Sequence, residues 1–419
     1  MSEVLKREAP PVDGVLLANA PQETLSDYAR NWLRRVRAGD LGSLPIIIGL
    51  IGIVAIFGTV QPIFFVERNF VNLLLQMAGI TTMAIGIVFV LLIAEIDLSI
   101  AFVSGVGAVI MTLLLREPVP AWPWPLAIGA GLFTTTAIGL LHGLIITKAG
   151  VPSFVVTLAG LLAWSGVVLI MMTTLSTAGV IVIQDRVVLG IANSFLPGFW
   201  GWALFAVVVG GFTLGQLTQR QSLRRQNLPT KPALVVALQI IGLAIVTGAP
   251  VWYANRDRGV PVVTVIVLIL VVIWSFIAGR TRFGRYVYAV GGNPEAARRA
   301  GINVDRIRIV VFMISGFMAG VGGIILAARL RSVDTNSGGG NLLLNVIAAA
   351  VIGGTSLFGG HGRVMSALIG ALVIASVENG MGLLGLPSGV KFVVTGLVLL
   401  AAVLVDAFSR RSREASGIA

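Results

Sequence analysis

The chain has 419 residues, 56% of them hydrophobic and only 11% charged, with a net charge of +12 and no cysteine. That balance, with a mean hydropathy of +0.95, excludes a soluble domain, and the missing cysteines exclude disulfides, thiolate metal sites and cysteine nucleophiles. Long apolar runs approach the ~20 residues that cross a bilayer, whereas a β-barrel would show alternating segments of ~10. The fold class expected is an all-α polytopic membrane protein.

Residues 1–43 read as a cytoplasmic N-terminal segment. Residues 1–22 are polar and expected to be disordered. In 23–41, Leu25, Tyr28, Ala29, Trp32, Leu33 and Val36 recur at helical spacing, with Arg30, Arg34, Arg35 and Arg37 mostly off that stripe. The pattern predicts an amphipathic helix on the inner membrane surface, though contact with a cytoplasmic partner would look the same. No apolar core of a signal peptide occurs before residue 44, so the first span is expected to be an uncleaved anchor.

A transmembrane domain over 44–408 follows, with a cytoplasmic tail at 409–419. About twelve spans are expected, near 44–64, 72–94, 97–115, 124–147, 152–174, 199–218, 232–254, 260–279, 309–328, 343–358, 363–384 and 391–408. The tenth is short and Gly-rich, so it reads as broken or re-entrant. Gly pairs at 353–354 and 359–360 and the GVGG run at 320–323 read first as close helix packing. Beside polar residues they also mark broken helices that line a path.

Charge tests this topology independently. With the N-terminus inside, the inward segments hold 22 of the 30 Lys and Arg: six before the first span, Lys148, four in 220–231, seven in 280–308, Arg363 and three at the end. That is the bias of the positive-inside rule, and it puts both termini in the cytoplasm. The positive charge is thus topological. Nucleic-acid binding would need it clustered on a soluble module, and none is present.

The island from Arg280 to Arg308 carries seven Arg between two apolar runs. Asn293 is a good N-cap, Pro294 suits the first helical position, Glu295 suits the positive end of the dipole, and Gly301 can stop the helix. A helix over 294–300 is too short to stand alone in water. It reads as a docking knob for another protein, the plainer alternative being a solvated loop.

Catalytic signals are absent. His142 and His361 are the only histidines and neither has metal-ligand spacing. The lysines at 6, 148, 231 and 391 are followed by Arg, Ala, Pro and Phe, so none completes a phosphate-binding G-x-x-x-x-G-K-[ST] loop. Transport driven by ATP would therefore need ATP-Mg bound by a separate subunit, with no cofactor and no metal held by this chain. Glu95, Asp97 and Glu378 are acidic residues near membrane depth, and each is a functional candidate by default. Asp97 in IDLS also reads as a helix-start cap.

The blocks IDLSI (96–100), RFGRYVYAVGGNPEAARRAGINV (282–304), SGFMAGVGGIILAARL (315–330), IAAAVIGGTSLFGGHGRV (347–364), ENGMGLLGL (378–386) and GLVLLAAVLVD (396–406) occur in one order. On these the chain resembles the permease subunits of ATP-binding-cassette importers for monosaccharides, the ribose and xylose type, from residue 60 onward. GGNPEAAR, the ENGM block and about two extra spans at 199–254 lean toward the xylose branch. The resemblance implies a ten-helix core plus those two spans, in a bacterial inner membrane. It implies a homodimer, an ATPase subunit and a periplasmic sugar-binding protein as partners besides the lipid bilayer. Gly291, Gly292, Asn293, Pro294, Glu295, Ala296, Ala297 and Gly301 would couple to the ATPase. Asp97, Ser99, Asn345, Thr355, Ser356, Glu378 and Asn379 would lie along the sugar path. The chain departs from the family at Leu343, Leu344 and Asn345, where Glu-Leu-Asp is common, and at Glu95, where Gly is common. The alternatives are a secondary sugar transporter driven by an ion gradient, which needs an intramembrane carboxylate, and a membrane scaffold without transport.

Overall fold

A computed structural model describes Arg30 and residues 44–116, 121–226, 228 and 230–415. The expected interfacial helix over 23–41 lies outside these residues, apart from Arg30, which is helical. Five helices come first: α1 (Leu44–Val60), α2 (Glu67–Leu92), α3 (Ile100–Leu114), α4 (Trp124–Lys148) and α5 (Ser153–Leu175). Then come β1 (Val180–Val182), α6 (Arg186–Asn193), β2 (Phe195–Leu196) and the hairpin α7 (Gly198–Arg225) and α8 (Ala233–Ala254). β3 (Val260–Pro261) leads into α9 (Val262–Arg280), α10 (Arg282–Gly292), α11 (Pro294–Arg299) and α12 (Val304–Leu330). β4 (Ser332–Asp334), α13 (Leu342–Ile352), α14 (Met365–Leu383) and α15 (Ser388–Ala415) complete the chain.

Among the described residues eight helices are long and apolar enough to cross a membrane, and four shorter apolar helices cover 46–60, 100–114, 342–352 and 388–401. All twelve fall on the expected spans. The chain is an all-α, multi-pass membrane protein. Its strands are two-stranded antiparallel clips, β1 with β4 and β2 with β3, that tie loop ends together.

α2 is the central helix, buried along most of its length, with Met83, Ala84, Ile85, Val88, Phe89 and Leu92 fully enclosed. α12 packs against it and against α4. Along this crossing Gly139 of α4 meets Gly316 of α12, Gly143 meets Ile309, and Gly320 meets Thr135. A β-carbon at Gly139 would strike the Phe312 carbonyl, and one at Gly316 the Thr135 carbonyl. Two small-xxx-small pairs therefore let the backbones touch, the geometry by which helices associate in lipid. The GVGG run serves three neighbours: Gly320 faces Thr135, Gly322 faces Met83, and Gly323 faces Ser104.

Only Gly201 of α7 is buried. α8 holds the hairpin to the body through its last turn, where Val251 and Ala254 pack on Val71 and Val260. There the Tyr253 ring meets Phe70 edge-on at 5.4 Å, its hydroxyl donates to the Phe65 carbonyl, and Arg256 pairs with Glu67 at 3.5 Å. The two extra spans form a peripheral attachment on an otherwise complete bundle.

The tenth span is broken, as expected. α13 has 11 residues, about 16 Å of helix against a hydrocarbon core of ~30 Å. Gly353 and Gly354 end it, Gly354 with φ +96, and the chain then turns irregularly until α14. A second irregular stretch, 93–99, joins α2 to α3, with Ala94 in the left-handed region at φ 60.

Candidate functional site

Three groups of residues stand out, in order from one end of the bundle to the other. At the end away from α11 lies a cavity of about 350 Å³, within the range of small-molecule sites. Gln76 of α2, Arg329 of α12, Asn341 and Asn345 at α13, Glu378 of α14 and Lys391 of α15 supply its polar lining. Asn345 is 3% exposed and its amide donates to Glu378 Oε1 at 2.6 Å. Its own carbonyl, Oδ1, is shielded and has no partner. A buried acceptor left open beside a polar cavity is a position for a ligand donor. Behind it Asn379 exchanges two 2.9 Å hydrogen bonds with Asn69 and lies 3.4 Å from Gln76 Oε1, fixing α14 to α2.

In the middle of the bundle Asp97 is 4% exposed and forms no ion pair among the described residues. Oδ1 accepts from the Ser99 N–H at 3.0 Å and the Ser99 hydroxyl at 2.6 Å, while Oδ2 accepts from the Ser315 hydroxyl at 2.6 Å. Ser99 Oγ lies 3.3 Å from His142 Nδ1, and Trp164 Nε1 donates to His142 Nε2 at 3.1 Å. The Trp indole can only donate and the Ser99 proton is already given to Asp97. The partners therefore assign a neutral imidazole with its proton on Nδ1. The expectation that Asp97 caps α3 is corrected: the N-cap residue is Ser99, and the helix has no side-chain capping bond. Asp97 lies two residues earlier, bonds the Ser99 N–H, and joins α3, α4, α5 and α12 through one connected network.

At the other end sits the Arg-rich island. Asn293 Oδ1 accepts from the Ala296 N–H at 2.9 Å, Pro294 begins α11, and Gly301 stops it with φ +82. Asn303 then caps α12 through the Arg306 N–H at 2.9 Å. Glu295, Ala296, Arg298, Arg299 and Ala300 are exposed, and the Glu295–Arg298 pair at 3.2 Å is solvated and contributes little.

Two of the expected coupling residues, Ala297 and Gly291, face inward instead of toward a partner. Ala297 is 3% exposed and belongs to the protein's own core. The expectation that its backbone sits close to another subunit is corrected: α11 turns Ala297 onto the protein's own core and leaves Glu295, Ala296, Arg298 and Arg299 exposed. Gly291 is also buried, and a β-carbon there would strike the Leu92 carbonyl and the Gly360 N–H. The Gly360 N–H donates to that same carbonyl at 3.0 Å. Tyr288 donates to the Gly362 carbonyl at 2.8 Å, and burial raises its phenol above the ordinary value, with Arg363 opposing. Arg308 Nε lies 2.9 Å from Glu95 Oε1, with the N–H not aligned on the carboxylate, so the contact is an ion pair. The island thus holds both irregular stretches, 93–99 and 353–364, at one junction.

Thr355 and Ser356 lie in the second of those stretches, past the end of α13. Thr355 is 1% exposed with an unpartnered hydroxyl, and Ser356 accepts from the Phe358 N–H. The structure brings Asn345 and Glu378 together, sets Asn379 behind them, and leaves Asp97, Ser99, Thr355 and Ser356 toward the junction. Sequence reasoning missed Gln76, Asn341, Arg329 and Lys391. Lone polar residues on spans were the available signal, and only folding shows that they converge.

The family described as the permease component of branched-chain amino acid transport systems matches residues 69–403. The chain belongs to this permease family. Its relatives include the xylose transport system permease protein XylH of Escherichia coli K12, 39% identical over 84% of this chain and 88% of the relative. XylH of Haemophilus influenzae is 35% identical over 82% of this chain and 90% of the relative. The ribose import permease protein RbsC of Escherichia coli K12 is 33% identical over 86% of this chain and 92% of the relative. No solved structure matches the permease.

Proposed function

We propose that this chain is the membrane-spanning subunit of an ATP-driven ABC importer that carries a monosaccharide, a pentose of the xylose type. The observation that carries the reading is the open Asn345 carbonyl in a cavity whose other polar groups include Gln76 and Asn341. Neutral sugars are recognised by paired hydrogen-bond donors and acceptors, and amide side chains offer both. Xylose-type and ribose-type relatives support the substrate class. The permease makes no covalent chemistry in this reading. A separate ATPase subunit binds ATP-Mg and docks on the exposed side of α11, a periplasmic binding protein delivers the sugar, and two copies of the chain enclose the path. Both termini are cytoplasmic, which places the cavity toward the outside and α11 inside. Reporter tags at residues 225 and 290 should read cytoplasm and one at 120 the outside; an external signal at 225 would overturn that orientation.

The test is uptake of labelled xylose and ribose by proteoliposomes holding the permease with an ATPase subunit and a binding protein. Accumulation that requires ATP, with xylose ahead of ribose, is expected. Accumulation by the permease alone under a proton or sodium gradient would overturn the reading in favour of a secondary transporter using Glu378.

A further inference from the structure

The end of the α7–α8 hairpin farthest from its attachment contains a second polar pocket that sugar movement does not use. Gln216, Gln219, Arg220, Thr230 and Lys231 line it together with Leu223. Its free space is about 40 Å³, room for a group of a few atoms and far too little for a sugar. Thr230 is buried, and Arg220 Nε is shielded from solvent with no hydrogen-bond partner. Arginine is the side chain suited to planar, multidentate recognition of phosphate, and an unmatched guanidinium N–H is costly to shield.

The electrostatics point the same way. From residue 186 to residue 256 there is no Asp or Glu. Arg220, Arg224, Arg225 and Lys231 form no ion pair among the described residues. Directly along the hairpin from the pocket, Leu214, Leu217, Leu234, Leu238 and Ile241 are all exposed, an apolar surface of the kind acyl chains cover in a bilayer. Basic pockets between spans on the cytoplasmic side suit lipid headgroups of negative charge.

We propose that this pocket binds the phosphate of an anionic phospholipid whose acyl chains lie against the exposed leucines of α7 and α8. The lipid would thereby brace a hairpin that, among the described residues, packs on the body at its opposite end. The proposal rests on the membrane orientation given above, which the tag at 225 tests separately.

The experiment uses the full-length permease purified in detergent, titrated with short-chain phosphatidylglycerol, short-chain phosphatidylcholine or inorganic phosphate, and read by native mass spectrometry. Saturable retention of phosphatidylglycerol over phosphatidylcholine is expected. The double variant Arg220→Gln/Lys231→Gln should weaken it about thirtyfold, from roughly five- to sixfold per cation near a membrane surface. Arg224→Gln/Arg225→Gln removes the same charge from exposed positions outside the pocket and should weaken it by less than threefold. Equal losses in the two pairs would reduce the effect to general attraction and overturn the site. Unchanged retention in Arg220→Gln/Lys231→Gln would overturn it too. Binding of inorganic phosphate in place of lipid would assign the pocket to a free anion and overturn the headgroup.

Discussion

The Arg308 guanidinium lies 2.9 Å from the Glu95 carboxylate, joining the start of α12 to the irregular stretch between α2 and α3. The two side chains are 27% and 12% exposed, so this pair is better shielded than a surface contact. Glu95→Gln or Arg308→Gln alone should lower stability by about 1–3 kcal/mol, because each leaves a half-shielded charge without its partner. The double variant should cost less than the two single changes added, with a coupling of at least about 0.5 kcal/mol in denaturant unfolding of the purified protein. Strict additivity would show that the contact carries no energy.

Gly291 is the tightest point of the junction. Gly291→Ala sets a methyl group against the Leu92 carbonyl and Gly360, and overpacking of this kind costs about 1–3 kcal/mol. The expected phenotype is ATP hydrolysis by the assembled transporter that no longer drives proportional xylose uptake. Normal uptake per ATP would mean that the loops need not stay in register with α10.

Ala296 and Ala297 are neighbours with opposite environments, one exposed and one buried. Ala296→Trp should leave thermal unfolding unchanged while weakening association with the ATPase subunit by about one to two orders of magnitude. Ala297→Trp should lower the unfolding midpoint instead. Pull-down and unfolding measured on both variants separate the docking surface from the core, and the reverse pattern would invert the assignment.

In the cavity Asn345→Ala removes both the bond to Glu378 and the open carbonyl. Loss of about 1–3 kcal/mol of binding should raise the KM for xylose roughly ten- to a hundredfold. Asn345→Asp tests the electrostatics: it sets a second carboxylate within reach of Glu378, and like charges so close repel. Xylose uptake should fall at least as far as in Asn345→Ala. Uptake equal to that of the unaltered permease would place residue 345 away from Glu378.

The twelve apolar helices were legible because span length is a local property of the chain. So was α11, whose Asn-Pro-Glu start and Gly stop are read within nine residues. Ala297 was misjudged for the same locality: six residues are too few to display an inward stripe, so its direction comes only from packing. Glu95 and Arg308 are more than two hundred residues apart in sequence, and nothing local announces their meeting. The cavity was half visible, with Asn345 and Glu378 noticed as polar departures. Arg329 and Lys391 instead counted as ordinary outward charges flanking spans. Their convergence is tertiary, and periodicity cannot report it.

α12 begins two residues after the Gly301 turn and ends at the cavity, with Arg308 near one end and Arg329 near the other. The two arginines are about 32 Å apart along a single unbroken helix. Glycine crossings with α4 leave that rod no slack in which to flex at its centre. A shift at the α11 end would therefore reach the cavity end through the same rod, without a relay of side chains between them. Timing follows from this: the two ends of the permease keep one clock.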